Sequence, residues 1–182
     1  MTDHVTTGEC AAALPHIMAA PKDAGLVTGL CLRPVPNQRS FPDRLRLTRA
    51  EGIPGERWLT MPWLRLPDGR PDPQIQVSIL QTRILDLVWR DRESVVHPGD
   101  PIIADLDLSE ANLPAGTLLR AGTAVLKVSQ EPNLGCVKWK VRYGAPSLDW
   151  IKAHPELRLR GVLCSVEEDG EIRLSERILV LR

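Results

Sequence analysis

Proline and glycine, 16 and 13 residues respectively, interrupt this chain so often that its apolar stretches are too short for long helices. Residues 24–32 (AGLVTGLCL) read as a strand, and the three prolines of 33–43 end it, because proline offers no N–H to a sheet ladder. Residues 44–49 (RLRLTR) place leucines on one face and cations on the other for at least four positions, the period of a half-exposed strand. Residues 51–58 and 61–73 carry turn glycines, four prolines in the second piece and an Asp68-Gly69 turn signal, so they read as an irregular excursion anchored by Trp58 and Trp63. Residues 75–80 read as a strand leading into a short helical stripe at 84–89, and residues 102–108, 117–122 and 124–130 as successive strands. A second short helix is expected at 147–154, and two strands flank Asp169-Gly170, a dipeptide of tight hairpins. Strands this short and this frequent favour closure, which leaves no exposed edge. The expected fold is mainly β: a closed or nearly closed antiparallel β-barrel over residues 23–182 with a few short helices. Residues 1–22 show no sustained period and read as an N-terminal leader, flexible or packing late, with Cys10 exposed on it.

A length of 182 residues suits one domain able to bury its own core, and 43% hydrophobic with 25% charged residues is globular rather than disordered composition. Lysine plus arginine and aspartate plus glutamate balance at 23 each, which argues against nucleic acid or an anionic membrane as partner and makes any anion site a local one. No apolar stretch approaches the roughly 20 residues of a membrane span, so a cytoplasmic protein is expected. The four cysteines form no Cys-x-x-Cys pair, which leaves free thiols rather than a zinc knuckle or redox dithiol. Cys31 and Cys164 lie in apolar runs and read as buried small hydrophobes.

The segment 130–144 (QEPNLGCVKWKVRYG) differs from its surroundings, since a thiol is followed by cations at 138, 140 and 142. If extended, it places Cys136, Lys138, Lys140 and Arg142 on one face. If helical, it pairs Cys136 with Lys140 and Lys138 with Arg142, and stacks Trp139 and Tyr143 on another side. In either geometry positive charge near the sulfur favours the thiolate, a nucleophile and a soft metal ligand. The same cations suit a phosphate, Arg142 as a bidentate fork and the lysines as point charges.

The run Gly-Cys-x-Lys-x-x-x-Arg-Tyr-Gly at 135–144 resembles the cysteine motif of the MOSC domain, the molybdenum-cofactor sulfurase C-terminal domain family. The similarity extends over about 24–181: GIPGERW (52–58) looks like the family's Gly-Leu-x-Gly-Asp-Arg turn, IQVSIL (75–80) like its Arg-Gln-Val strand, and LLRAGTAVLKVSQ (118–130) lies where the family has a similar stretch. The chain departs from the pattern at Glu56 and Ile75, and Gly99-Asp100-Pro101 stands where a Gly-Glu-Asn segment is expected. The resemblance implies a β-barrel-like fold with a cleft for the molybdenum cofactor, a pterin dithiolene bearing a phosphate. It also implies that Cys136 ligates molybdenum or carries sulfur. Glu56 and Arg57 stand at the family's acidic-basic turn, Lys138 and Arg142 are the phosphate contacts expected on charge, and Trp139 is the tryptophan placed to pack on a pterin. Two activities are compatible with this resemblance. One is reduction of N-hydroxylated or N-oxide compounds, with electrons from a separate electron-transfer protein because the chain has neither a second cysteine cluster nor a Gly-x-Gly-x-x-Gly loop. The other is non-redox sulfur carriage or cofactor delivery, with a persulfide received on Cys136 from a cysteine desulfurase.

Overall fold

A computed structural model describes residues 4–182. Its centre is a closed barrel of seven strands in the order β1-β4-β3-β7-β6-β5-β9. These are β1 (Ala24–Leu30), β3 (Val77–Gln81), β4 (Ile102–Asp105), β5 (Leu118–Ala121), β6 (Ala124–Val128), β7 (Val162–Glu168) and β9 (Arg177–Leu181); β2 (Arg44–Leu47) and β8 (Gly170–Arg173) pair separately. The alternation read along 44–49 is realised, with Leu45 and Leu47 buried and Arg44 and Arg46 exposed. The barrel interior is filled by Val27, Ile79, Ile102, Leu119, Leu126 and Ile178 with their neighbours, all nearly inaccessible to water.

The barrel is closed as expected but mixed rather than wholly antiparallel, because β3 and β4 run parallel, Ile79 facing Ile102. Parallel neighbours need a crossover of a dozen or more residues, and residues 82–101, containing α2 (Thr82–Val88), supply it. The Asp169-Gly170 pair likewise does not close a hairpin. β8 turns away to pair with β2, Leu47 facing Gly170, and β9 enters the barrel between β1 and β5. Neither Asp169 nor Gly170 has the positive φ that a type I′ turn requires. Gly170 serves a close approach instead, since a Cβ there would lie 2.4 Å from the backbone nitrogen of Ala124.

Helices cover one side of the barrel. Residues 1–3 of the expected leader lie outside the described residues; beyond them, α1 (Thr7–Met18) is a capped helix. The Thr6 hydroxyl accepts from the Glu9 N–H at 3.2 Å and Glu9 Oε2 accepts from the Thr6 N–H at 2.8 Å. Together these bonds satisfy two otherwise orphaned donors. Cys10 is therefore not on an exposed leader: it is buried in the layer that α1 forms with α2, α3 (Val137–Tyr143) and α4 (Ala145–Ala153). Leu80 and Ile103 of the barrel join this second cluster. Cys31 and Cys164 are buried as expected, and burial raises their thiols to about 11 and about 12. No helix among the described residues is long and apolar enough to cross a membrane.

Candidate functional site

The segment around Cys136 adopts the helical alternative. Cys136 itself is the extended residue before α3, and its carbonyl accepts from the N–H groups of Trp139 at 2.9 Å and Lys140 at 3.2 Å. The approach to it is tied down by Asn133, whose Nδ2 donates to the Arg160 carbonyl at 3.1 Å. The buried face of α3 carries Trp139 and Tyr143, edge to face with ring centroids 4.7 Å apart, an arrangement that adds about 1 kcal/mol beyond area burial. Trp139 Nε1 donates to Ser147 Oγ at 3.1 Å and the Tyr143 hydroxyl donates to the Val96 carbonyl at 2.9 Å. With two aromatic side chains anchored at both apolar and polar ends, α3 is a rigid platform. Its other face is open, and of the four cysteines Cys136 alone is exposed.

Cys136 opens into a cleft of about 670 Å³, a volume typical of small-molecule and cofactor sites. The four-residue spacing of a helix brings Lys138 and Arg142 to the cleft with Cys136 and Trp139, while Lys140 does not line it. Arg57 lines the cleft too. Glu56 does not reach the cleft. Its side chain is fully buried behind it, where Oε2 accepts from the Arg33 backbone N–H at 2.8 Å and from Arg33 Nε at 3.3 Å.

Three arginines that the sequence reading did not select complete the cleft: Arg33, Arg39 and Arg160. Arg33 and Arg39 lie in the proline-rich loop 33–43, where a guanidinium among turn residues was the available signal, since loops on a rigid scaffold often carry binding groups. Arg160 gave no signal apart from its charge. Its Nη1 donates to both oxygens of Asp100, at 2.8 and 2.9 Å, and its Cζ lies 4.7 Å over the Trp139 ring. Asp100 belongs to the Gly99-Asp100-Pro101 departure from the family pattern, and there Gly99 has φ 94, with Arg33 Cδ only 2.6 Å from where a Cβ would stand. A side chain at 99 would displace Arg33.

Charge is distributed unevenly over these groups. Asp100 is inaccessible to water, and burial acts to raise its carboxyl. The charge and hydrogen bonds of Arg160, a hydrogen bond from Ser78 and the charge of Arg33 outweigh burial and hold it below the usual carboxylate range. Arg39 and Arg57 are depressed below the ordinary guanidinium value, first by burial; Arg142 then lowers Arg39, and Arg33 lowers Arg57, with a further contribution from Arg142. Among the described residues, Arg39 bonds to carbonyls alone, its Nε donating to His97 O at 2.9 Å and its Nη1 to Gln38 O at 3.3 Å. Among the described residues, neither Arg57 nor Arg142 has a carboxylate partner. Cations crowded in a partly dry cleft repel one another, and an anion relieves that repulsion.

No curated protein matches the chain in sequence. Among solved structures, the YUAD protein from Bacillus subtilis is similar with a TM-score of 0.61 and 18% identity, over 86% of this chain and 95% of that one. YiiM from Escherichia coli is similar with a TM-score of 0.54 and 18% identity, over 86% and 70% respectively. At these identities the likeness establishes the fold. The family model for the MOSC domain matches residues 89–178, a span that includes Asp100, the whole of α3 and Arg160. The chain belongs to the MOSC domain family.

Proposed function

We propose that the cleft holds the molybdenum cofactor with Cys136 as a ligand of the metal, and that the protein is a small oxidoreductase acting on N-hydroxylated or N-oxide compounds. The observation that carries this reading is the placement of one exposed thiol in the same cleft as Arg39, Arg57 and Arg142, cations without a carboxylate partner among the described residues. The donor set fits the group. A thiolate is a soft ligand suited to a transition metal, the guanidinium forks suit a phosphate, and Trp139 offers an aromatic wall to a pterin. Bound there, the molybdenum centre supplies two-electron redox chemistry. The chain's own contribution is to hold Cys136 on the rigid α3 platform, to neutralise the anionic cofactor with arginines, and to present an apolar lip of Trp63, Leu134 and Val137 to what approaches. Electrons come from a separate electron-transfer protein, and a reducing cytosol suits the accessible thiol.

A second reading keeps Cys136 but not the redox step: a persulfide accepted from a cysteine desulfurase and passed on, or delivery of the cofactor to another protein. It is favoured by the exposure of the thiol next to apolar side chains that are themselves well exposed, Val137 at 71% and Leu134 at 66%. The test is expression in a host that makes the cofactor, with molybdenum and extracted pterin measured per chain for wild type and Cys136→Ala. Metal and pterin on wild type and neither on the mutant support the cofactor site. Neither on folded wild type sinks it and leaves the sulfur carrier.

A further inference from the structure

Behind the cleft lies a second, smaller chamber of about 100 Å³, lined by Glu56, Asp100, Ser78 and Gln76 together with side chains it shares with the cleft. The shared ones are Arg33, Arg57, Trp63, Asn133 and Arg160, so these form the partition between the two spaces. Glu56 is aimed into the chamber with no side-chain exposure, and its two oxygens are treated differently. Oε2 takes both hydrogen bonds from Arg33. Oε1 lies 3.0 Å from Arg33 Nη2 yet receives no hydrogen bond from any described residue. A buried carboxylate oxygen without a donor is costly, and the chamber is polar and roomy enough to supply one. A buried water needs about 10–15 Å³ of such space and a few polar partners.

We propose that this chamber is a hydration site whose waters bridge Glu56 Oε1 to the cleft and relay protons to the reaction there. The proposal rests on the reductase reading, which creates the demand. Reduction of an N-hydroxylated compound breaks the N–O bond, with electrons from the redox partner and protons from the solvent side: R–NHOH + 2 e⁻ + 2 H⁺ → R–NH₂ + H₂O. The water leaves with the former hydroxyl oxygen, and both protons must reach the N–O bond; at the partition itself the guanidinium groups of Arg33, Arg57 and Arg160 do not give up protons at neutral pH. Of the two carboxylates facing the chamber, Asp100 has both oxygens engaged by Arg160. Among the described residues lining the chamber, Glu56 Oε1, ion-paired with Arg33 Nη2 at 3.0 Å but receiving no hydrogen bond, is the carboxylate oxygen placed to pass a proton between waters. Arg33, Arg57, Arg160 and Asp100 are the charged groups that face it from the other elements.

A crystal structure of the metal-free protein tests the first half. At least one ordered water within hydrogen-bond distance of Glu56 Oε1, in a chain reaching the partition, is expected; a dry chamber overturns the proposal whatever the cofactor does. The second half is tested on molybdenum-loaded protein with Glu56→Gln, which keeps the shape and the acceptor for Arg33 but cannot carry a proton. Molybdenum content per folded chain should stay near wild type, the thermal midpoint should fall because Arg33 loses its buried counter-ion, and turnover of the folded protein should fall on the order of 100-fold, the scale of general acid-base contributions. The pH profile should change shape, the solvent deuterium effect should rise, and Glu56→Asp should recover part of the rate. Wild-type turnover with an unchanged pH profile in Glu56→Gln overturns the relay and leaves the cofactor reading standing. Absence of molybdenum from folded wild type overturns that reading and the relay together.

Discussion

Two sets of arginines share one cleft and live under opposite rules. Arg33 and Arg160 are each matched to a carboxylate buried beneath them, Glu56 and Asp100. Arg39, Arg57 and Arg142 face one another and have no such match among the described residues. The paired set is part of the fold: each guanidinium satisfies a buried anion, and removing either partner strands a charge in a dry place. The other set is a cost to the free protein that a bound anion removes. Charge in this cleft is therefore divided by the presence or absence of a buried counter-ion, not by distance from Cys136.

The strongest way to break that division is at the bottom of the cleft. Asp100→Asn leaves Arg160 without its counter-ion in a site where Asp100 is 1% exposed, and breaking a buried pair from one side costs about 3–5 kcal/mol. The urea midpoint should fall accordingly. A double replacement, Asp100→Leu with Arg160→Met, should recover most of the loss, because the pair is dearer to break than to replace. A drop in stability below about 1 kcal/mol for Asp100→Asn would mean that Arg160 is solvated and belongs with the unpaired set.

Acid probes the same charges through His97, which feels Asp100, Arg39, Arg160 and Arg33. This imidazole is buried between Phe41 and Trp89, its Nδ1 accepts from the Gly99 N–H at 3.0 Å, and burial, resisted by Asp100 and aided by Arg39, Arg160 and Arg33, pushes it down from 6.5 to about 4. Between those values the unfolded chain binds a proton that the folded chain refuses. The stability is thus fully present above about pH 6.5 and lost as pH falls toward 4, by about 3 kcal/mol. Unfolding free energies at pH 7 and pH 4.5 should show this slope in wild type and a flatter one in His97→Gln, which keeps the acceptor for Gly99. Equal slopes would mean that the folded chain does not shield His97 from water.

What was legible in the sequence follows the range of the forces involved. Period-two alternation along 44–49 and the short apolar runs were local signals, realised as β2 and as the strands of a closed barrel that is mixed rather than wholly antiparallel. The capping box at Thr6 and Glu9 was equally local, and the expectation of a leader passed over it. The parallel pair of β3 and β4 and the pairing of β8 with β2 depend on where the chain returns in space, which no window of residues contains. The site divides in the same way. Cys136, Lys138, Trp139 and Arg142 stood out together because they are sequence neighbours, and all four line the cleft, whereas Lys140, which helical spacing pairs with Cys136, does not. Arg33, Arg39 and Arg160 reach the cleft from two distant segments, and the carboxylates beneath Arg33 and Arg160 were visible only as a turn residue and as a departure from a motif.

The finest test of the division compares two neighbours on α3. Lys138 is exposed and Arg142 half-buried, and both line the cleft. Neither ends in a carboxylate among the described residues, so Arg142→Ala and Lys138→Ala should each leave the urea midpoint within about 0.5 kcal/mol of wild type. Arg142→Ala should even gain slightly, since it relieves Arg39 and Arg57 of a neighbouring charge. Their effects on an anion should differ. Arg142 presents a fork in a partly dry wall, whereas Lys138 is a solvated point charge screened by salt. In equilibrium dialysis against inorganic phosphate at low ionic strength, Arg142→Ala should weaken binding about 10-fold, on the order of one charge-assisted hydrogen-bond pair, and Lys138→Ala about 2-fold. Equal losses for the two would mean that the cleft attracts anions by its summed charge and not by the crowded guanidinium groups, and the distinction between paired and unpaired arginines would then carry no consequence for binding.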